Sequence, residues 1–212
     1  MDAIIDDIAH TIASKEDLRK VYKPAIKPAL IKQTDYVTEP GRALIEAAPM
    51  IMLASASKDG VDVSPKGDGP GFVQLLDERT LLIPDRPGNN RLDGLTNIID
   101  NPNVGIIFIV PGSNSTYRVN GEATISTNPA LFERFLVNGK PPRTVMVVKV
   151  KEAYSHCPKA FVRADLWNQD TSTHPKGVPD HGDFAAHRDG GDAHYAREYV
   201  KNYKTRMPKE LY

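Results

Sequence analysis

Met50-Ile51-Met52-Leu53-Ala54-Ser55-Ala56-Ser57-Lys58-Asp59-Gly60-Val61-Asp62-Val63-Ser64-Pro65-Lys66 decides the fold class. Two apolar-rich runs, Met50 to Ser57 and Val61 to Lys66, flank Lys58-Asp59-Gly60. Asp-Gly between such runs is a strong hairpin-turn signal. The same texture continues downstream. Gly71 to Leu76 and Thr80 to Pro84 flank Asp77-Glu78-Arg79 as a second hairpin. Val104 to Val110 is a continuous apolar strand that Pro111-Gly112 turns. Thr116 to Ser126 and Thr144 to Ala153 are long strands. Two helices are inserted: Leu92 to Asp100, ended by Asn101-Pro102, and one capped by Asn128-Pro129 that runs to about Val137. Short strands at this spacing predict a mainly β fold, an antiparallel barrel with accessory helices.

Outside the barrel the pattern is helical. Ser14-Lys15-Glu16-Asp17 reads as a capping box, with Asp17 reaching back to the Ser14 amide. Pro24 and Pro28 break the periodicity. A helix over Glu39 to Ala48 has Pro40 in its first turn, Pro49 as its stop, and Leu44, Ile45 and Ala48 as its buried stripe. After Pro158 the chain is helical to Trp167. Asn168 to Asp192, rich in Gly, Asp, His and Pro, shows no core pattern and is expected to be irregular. Ala193 to Tyr203 is a closing helix. The expected organisation is an N-terminal helical arm (1–48), a barrel core (49–155) and a helical and irregular tail on the core (156–212).

The chain has 212 residues, 40% of them hydrophobic and 25% charged, which fits one globular domain with arms. Lys plus Arg (27) equals Asp plus Glu (27). That balance argues against nucleic acid or an anionic membrane as partner. A lone cysteine, Cys157, cannot form an internal disulfide, and is expected to be buried. Asp2, Asp6 and Asp7 break up the N-terminus, so no secretory signal is read there. No apolar run approaches the roughly 20 residues of a membrane helix. The expected compartment is the cytoplasm.

Three polar stretches invite chemistry. Pro84-Asp85-Arg86-Pro87-Gly88-Asn89-Asn90-Arg91 leaves a strand and enters a helix, where backbone amides and two arginines suit a phosphate. A plain turn with solvated arginines fits it as well. Ser64-Pro65-Lys66 ends the second strand, where a proline is tolerated. Arg118 and Asn120 share one face of their strand, with Tyr117 and Val119 on the other. No general acid or base stands out, so no catalytic residue is assigned.

In order and spacing these pieces resemble the pyridoxamine 5′-phosphate oxidase-like FMN-binding split-barrel family, over roughly Pro49 to Ala153. The carriers are Ser64-Pro65-Lys66, the Asp85-to-Arg91 loop, Asn101-Pro102-Asn103-Val104-Gly105 and the strand from Ser115 to Ala123. His156-Cys157-Pro158-Lys159-Ala160, with Arg163 and Leu166-Trp167, is similar to the tail of one uncharacterised branch. The resemblance implies an FMN-binding homodimer with the flavin at the subunit interface. Ser64, Pro65 and Lys66 would lie along the flavin, and Asp85, Arg86, Asn89, Asn90 and Arg91 at its phosphate. Thr116 and Arg118 would approach from the other subunit. Trp167 would either pack on the flavin or anchor the tail. Two departures stand out. Val61 and Asp62 replace a basic residue of the oxidase proper, for which Arg86 compensates. The oxidase's C-terminal substrate motif is replaced by Met207-Pro208-Lys209-Glu210-Leu211-Tyr212.

The implied function is that of an FMN-dependent oxidoreductase acting on a small, unidentified substrate, the second departure counting against pyridoxamine phosphate itself. Lys66 would steady the reduced flavin's charge. Two alternatives come from other classes. One is a non-enzymatic flavin or haem module acting as a sensor. The other is metal binding by the tail, through His174, His181, His187 and His194 with their neighbouring aspartates. A tail pinned at Trp167 and the terminal tyrosines would form a lid over the flavin.

Overall fold

The computed structural model describes residues 10–212; Asp2, Asp6 and Asp7 lie outside the described residues. The chain divides into two compact units after Gln33. In the N-terminal unit, α1 (Lys15–Val21) begins at Ser14, whose hydroxyl oxygen accepts the Asp17 amide at 3.0 Å. The hydroxyl also donates to the Asp17 carboxylate at 2.6 Å, so Asp17 meets this group rather than the Ser14 amide. Pro28 lies in the first turn of α2 (Lys27–Ile31), where its missing amide costs nothing, so it opens a helix instead of breaking one. Neither helix buries a side chain.

The unit from Thr34 onward is built on one seven-stranded antiparallel sheet of order β2-β1-β5-β6-β7-β4-β3. The strands are β1 (Met50–Ser57), β2 (Gly60–Gly67), β3 (Gln74–Asp77), β4 (Thr80–Asp85), β5 (Asn103–Ile109), β6 (Thr116–Ser126) and β7 (Thr144–His156). β2 and β3 end the order, so the barrel is split between them. Ile51 and Leu53 of β1, Val104, Ile106 and Phe108 of β5, Val119 of β6 and Val148 of β7 fill its interior. Helix α3 (Glu39–Ala47) starts at Thr38, which accepts the Gly41 amide, and seals one end with Ile45. Ala48 is buried beside Ile45, whereas Leu44 is only partly so.

Both hairpins form, with local adjustments. Gly71 turns at φ +79° and Phe72 donates its amide to the Gly69 carbonyl, so β3 begins at Gln74 rather than Gly71. The second inserted helix is short: α5 (Pro129–Phe132) tightens into a 3₁₀ turn over Glu133–Phe135. Phe135 packs there with Leu82 and Val145, on the outer side of the β4–β7 pair. β7 runs past Ala153, and its last residues pair with Thr116, Tyr117 and Arg118.

The tail departs most from expectation. α6 (Lys159–Ala164) buries none of its residues, and Cys157, expected to be buried, is exposed just before it. Nothing from the tail covers the thiol. Within the segment expected to be irregular lies α7 (His181–Asp189). The Asp180 carboxylate accepts the amides of Gly182 and Asp183 at 2.7 and 3.1 Å, and Asp183 accepts the Asp180 amide at 2.8 Å. Gly182, Ala185 and Ala186 are buried, and α7 packs along α8 (Ala193–Glu210), whose Ala196 is buried too. A Cβ at Gly182 would collide with the Ala196 carbonyl. Among the described residues, no helix is long and apolar enough to cross a membrane.

Candidate functional site

A cleft of about 790 Å³ opens between β2, the end of β4, the loop that follows it and the start of α4 (Asp93–Asp100). Ligand clefts commonly enclose about 300–1,000 Å³. β2 lines it with alternate residues Asp62, Ser64 and Lys66, and Pro65 reaches its edge. Ser64 is held by its hydroxyl, which donates to Asp62 Oδ2 at 2.7 Å. Lys66 Nζ lies 2.7 Å from Asp85 Oδ1, and Arg86 Nε lies 2.8 Å from Asp68 Oδ2. Both pairs are largely shielded from water, and both cross from β2 or the residues just after it to the end of β4. Arg86 also donates to the Phe135 carbonyl at 2.8 Å. Lys66 therefore pairs with Asp85 rather than with Asp68.

The loop over residues 86–92 has an unusual backbone. Asn90 and Leu92 both adopt the left-handed conformation, at φ 58° and 63°. For a leucine this is a strained choice. Asn89 Oδ1 accepts the Arg91 amide at 3.0 Å and fixes the turn. Leu92 serves as the N-cap of α4 but offers no side-chain acceptor, so the first amides of the helix have no side-chain cap. Asp93, Gly94 and Leu95, which carry those amides, line the cleft. Asn97 Nδ2 donates to Ser55 Oγ at 3.3 Å and Ile98 is buried, which seats α4 on the barrel. Arg91 pairs with Asp93 at 2.6 Å on the exposed rim.

The far wall comes from the start of β7. Thr144 stands opposite Asp85 in the β4–β7 ladder, and Arg143 donates its amide to the Asp85 carbonyl at 3.0 Å. Both residues line the cleft. Thr144 Oγ1 is, among the described residues, the one buried side-chain polar atom without a hydrogen-bond partner. Arg143 and Thr144 were not selected from the sequence, where Pro141-Pro142-Arg143-Thr144 reads only as the entry to a strand.

Of the positions singled out from the sequence, Ser64, Pro65, Lys66, Asp85, Arg86, Asn89, Asn90 and Arg91 come together here. Thr116, Arg118 and Trp167 do not line this cleft. Thr116 is 2% exposed. Arg118 Nε donates to Asn120 Oδ1 at 3.1 Å, and Asn120 donates to Glu152 at 2.9 Å. Arg118 also lies over the Tyr154 ring. Trp167 donates its indole N–H to the Ser113 carbonyl at 2.9 Å and stacks on Phe161, so it ties the tail to the β5–β6 turn. Residues 168–192, expected to form a lid, do not line the cleft; from the tail, Tyr212 reaches its wall, donating its hydroxyl to Asp68 Oδ1 at 2.6 Å with the Arg86 guanidinium over its ring. No group of three or more His, Cys, Asp or Glu among the described residues could hold a metal ion.

The sequence profile of pyridoxamine 5′-phosphate oxidase matches residues 37–157, more than half of the chain. The chain belongs to the pyridoxamine 5′-phosphate oxidase family. Family membership supports flavin binding in general. No curated protein matches the chain. Among solved structures, HupZ of Group A Streptococcus is 22% identical, covers 56% of this chain and 93% of its own, and superposes with a TM-score of 0.47. A putative pyridoxamine 5′-phosphate oxidase of Lactobacillus delbrueckii is 21% identical over 58% of this chain and 99% of its own, with a TM-score of 0.47. An FMN-binding protein of Syntrophomonas wolfei is 14% identical over 67% and 96%, at 0.42.

The donor set of the cleft fits a flavin mononucleotide. Uncapped helix amides suit its phosphate. The Lys66 ammonium, with one of its three N–H groups engaged by Asp85, keeps donors for a carbonyl edge.

Proposed function

We propose that this member of the pyridoxamine 5′-phosphate oxidase family is an FMN-binding homodimer that acts as an oxidoreductase on a small molecule. The observation that carries the reading is the convergence of β2 and the Asp85-to-Arg91 loop, distant in sequence, on one cleft whose donors match a flavin with a phosphate tail. Flavin supplies the redox step when bound; the chain positions it and its charge. Ser64, Pro65 and Lys66 would run along the ring system, with the Lys66 ammonium near the edge that gains negative charge on reduction. Asn89, Asn90 and Arg91 would hold the phosphate, while Asp85 and Arg86 fix the loop through their ion pairs.

The dimer reading draws on the outer face of the sheet. Val61 and Val63 of β2 are 75% and 56% exposed, and Met50 of β1 is 39% exposed. Met52, Ile107 and Ile109 continue this apolar surface in register. Surfaces of this kind mark association sites. β2 presents this face on one side and the cleft on the other, so a second copy seated there would stand beside the flavin. Arg118, on the same outer face, is then the residue able to reach it, while Thr116 stays within its own chain.

Purification settles the cofactor. A yellow protein with flavin absorbance bands that bleach on reduction and return in air supports the reading. A protein that binds no flavin, or binds haem instead, overturns it. If flavin binds but a reductant and substrate screen shows no turnover, the sensor alternative replaces the enzyme.

A further inference from the structure

We infer that Tyr212, just beyond α8, is a positioning residue that couples the α7–α8 pair to the cleft, taking its ligand from the proposed FMN site but not its geometry. Docked, it holds Asp68 and Arg86 in place; undocked, it frees the entry to the Asp85-to-Arg91 loop. Tyr212 does not itself line the cleft. It meets the wall at three points. Its hydroxyl donates to Asp68 Oδ1 at 2.6 Å, its ring centre lies 5.4 Å from the Arg86 guanidinium carbon, and its main-chain oxygen accepts Lys140 Nζ at 2.8 Å. Asp68 follows β2, Arg86 follows β4, and Lys140 precedes β7. One tail residue thus joins three segments that are far apart in sequence.

Tyr212 completes the confinement of Arg86. Nε of Arg86 donates to Asp68 Oδ2 and Nη1 to the Phe135 carbonyl, both at 2.8 Å, and the Tyr212 ring covers the guanidinium. The Arg86 and Asp68 side chains are only 15% and 8% exposed. A cation–π contact and a hydroxyl-to-carboxylate bond both gain strength when shielded from water. The loop that follows has little support of its own. Residues 88–92 are exposed, and Asn90 and Leu92 are left-handed. Strained backbone persists only where its surroundings hold it. Ile98 and Asn97 of α4 fix one end of the loop; Arg86, under Tyr212, fixes the other. Coupling of this kind is reciprocal: a contact that keeps the loop in its ligand-binding shape is itself strengthened by the ligand.

The test is hydrogen exchange of the full chain with and without FMN, alongside FMN titration by flavin fluorescence. Tyr212→Ala is expected to weaken FMN about five- to tenfold. Tyr212→Phe, which keeps the ring over Arg86, should lie between it and wild type. In wild type, FMN should slow exchange over 193–212 as well as over 86–92. In Tyr212→Ala, the slowing over 86–92 should remain and that over 193–212 should vanish. A tether with no bearing on the cleft would speed exchange over 193–212 equally in both ligand states and leave FMN affinity unchanged; that pattern overturns the coupling while the cofactor reading survives. FMN that still slows exchange over 193–212 in Tyr212→Ala overturns it too. A wild type that binds no flavin overturns the cofactor reading, and the flavin-free proteins then decide. Faster exchange over 86–92 in Tyr212→Ala, partly restored in Tyr212→Phe, sustains the positioning role; unchanged exchange there overturns it.

Discussion

Asp68 shows how a single carboxylate can hold one wall of the cleft. Burial pushes its carboxyl up. The Tyr212 hydroxyl at 2.6 Å, the Gly69 amide and the Arg86 guanidinium outweigh that and hold it below the ordinary aspartate value. The same carboxylate pushes the Tyr212 phenol up. Because the folded-state pKa lies below the unfolded one, the stabilisation is complete above about pH 4 and lost as pH falls through the folded value. Asp68→Asn should therefore cost about 1.5–3 kcal/mol at pH 7, with the difference from wild type shrinking at pH 3. Urea unfolding at the two pH values checks this. Arg91→Ala, on the open rim, should leave stability nearly unchanged and weaken FMN about ten- to a hundredfold with riboflavin unaffected. Equal losses for both flavins would deny Arg91 its phosphate role.

At the level of elements, the α7–α8 pair depends on closeness that only small residues permit. Gly182→Ala should force α7 off α8, costing about 1–3 kcal/mol, and raise hydrogen exchange over 181–210 while the barrel strands keep their protection. Protection unchanged over 181–210 would show that the two helices do not depend on that contact. This pair also marks where the sequence was hard to read. Strands announced themselves through alternation and Asp-Gly or Pro-Gly turns, and their observed bounds follow that pattern closely. α7 was missed because its buried stripe is Gly182, Ala185 and Ala186, which carries almost no hydrophobic signal. The Asp180-x-x-Asp183 box was the available clue. Arg143 and Thr144 were invisible for a different reason: they come to the cleft only by facing Asp85, and a β4–β7 pairing is a non-local fact. Cys157 was read as buried from its residue type alone, whereas no tail element covers it.

For the whole molecule, one apolar strand serves two surfaces. The uninterrupted run from Val104 to Ile109 sends Val104, Ile106 and Phe108 into the barrel and Ile107 and Ile109 outward. That outward apolar face is the one the proposed dimer would cover. On the proposed dimer, Val63→Glu places a charge on the β2 margin of that face and should shift the protein from dimer to monomer in sedimentation velocity, with weaker FMN retention on dilution; a wild type that already sediments as a monomer overturns the dimer. A variant that sediments as wild type would move the interface elsewhere. Strand positions could be read from alternation and turns, and the split barrel from the family resemblance, but which strands flank the split, β2 and β3, depends on pairings distant in sequence.

That split has a further consequence for the molecule in solution. β2 is an eight-residue edge strand, and an edge of that length is a template for strands from other molecules. Pro65 interrupts it with a residue that has no amide to give, and Lys66 adds a charge beside it. The residues proposed to lie along the flavin thus also guard the open side of the sheet against edge-to-edge aggregation, so changing Pro65 for a better strand former would put solubility at risk along with the cleft.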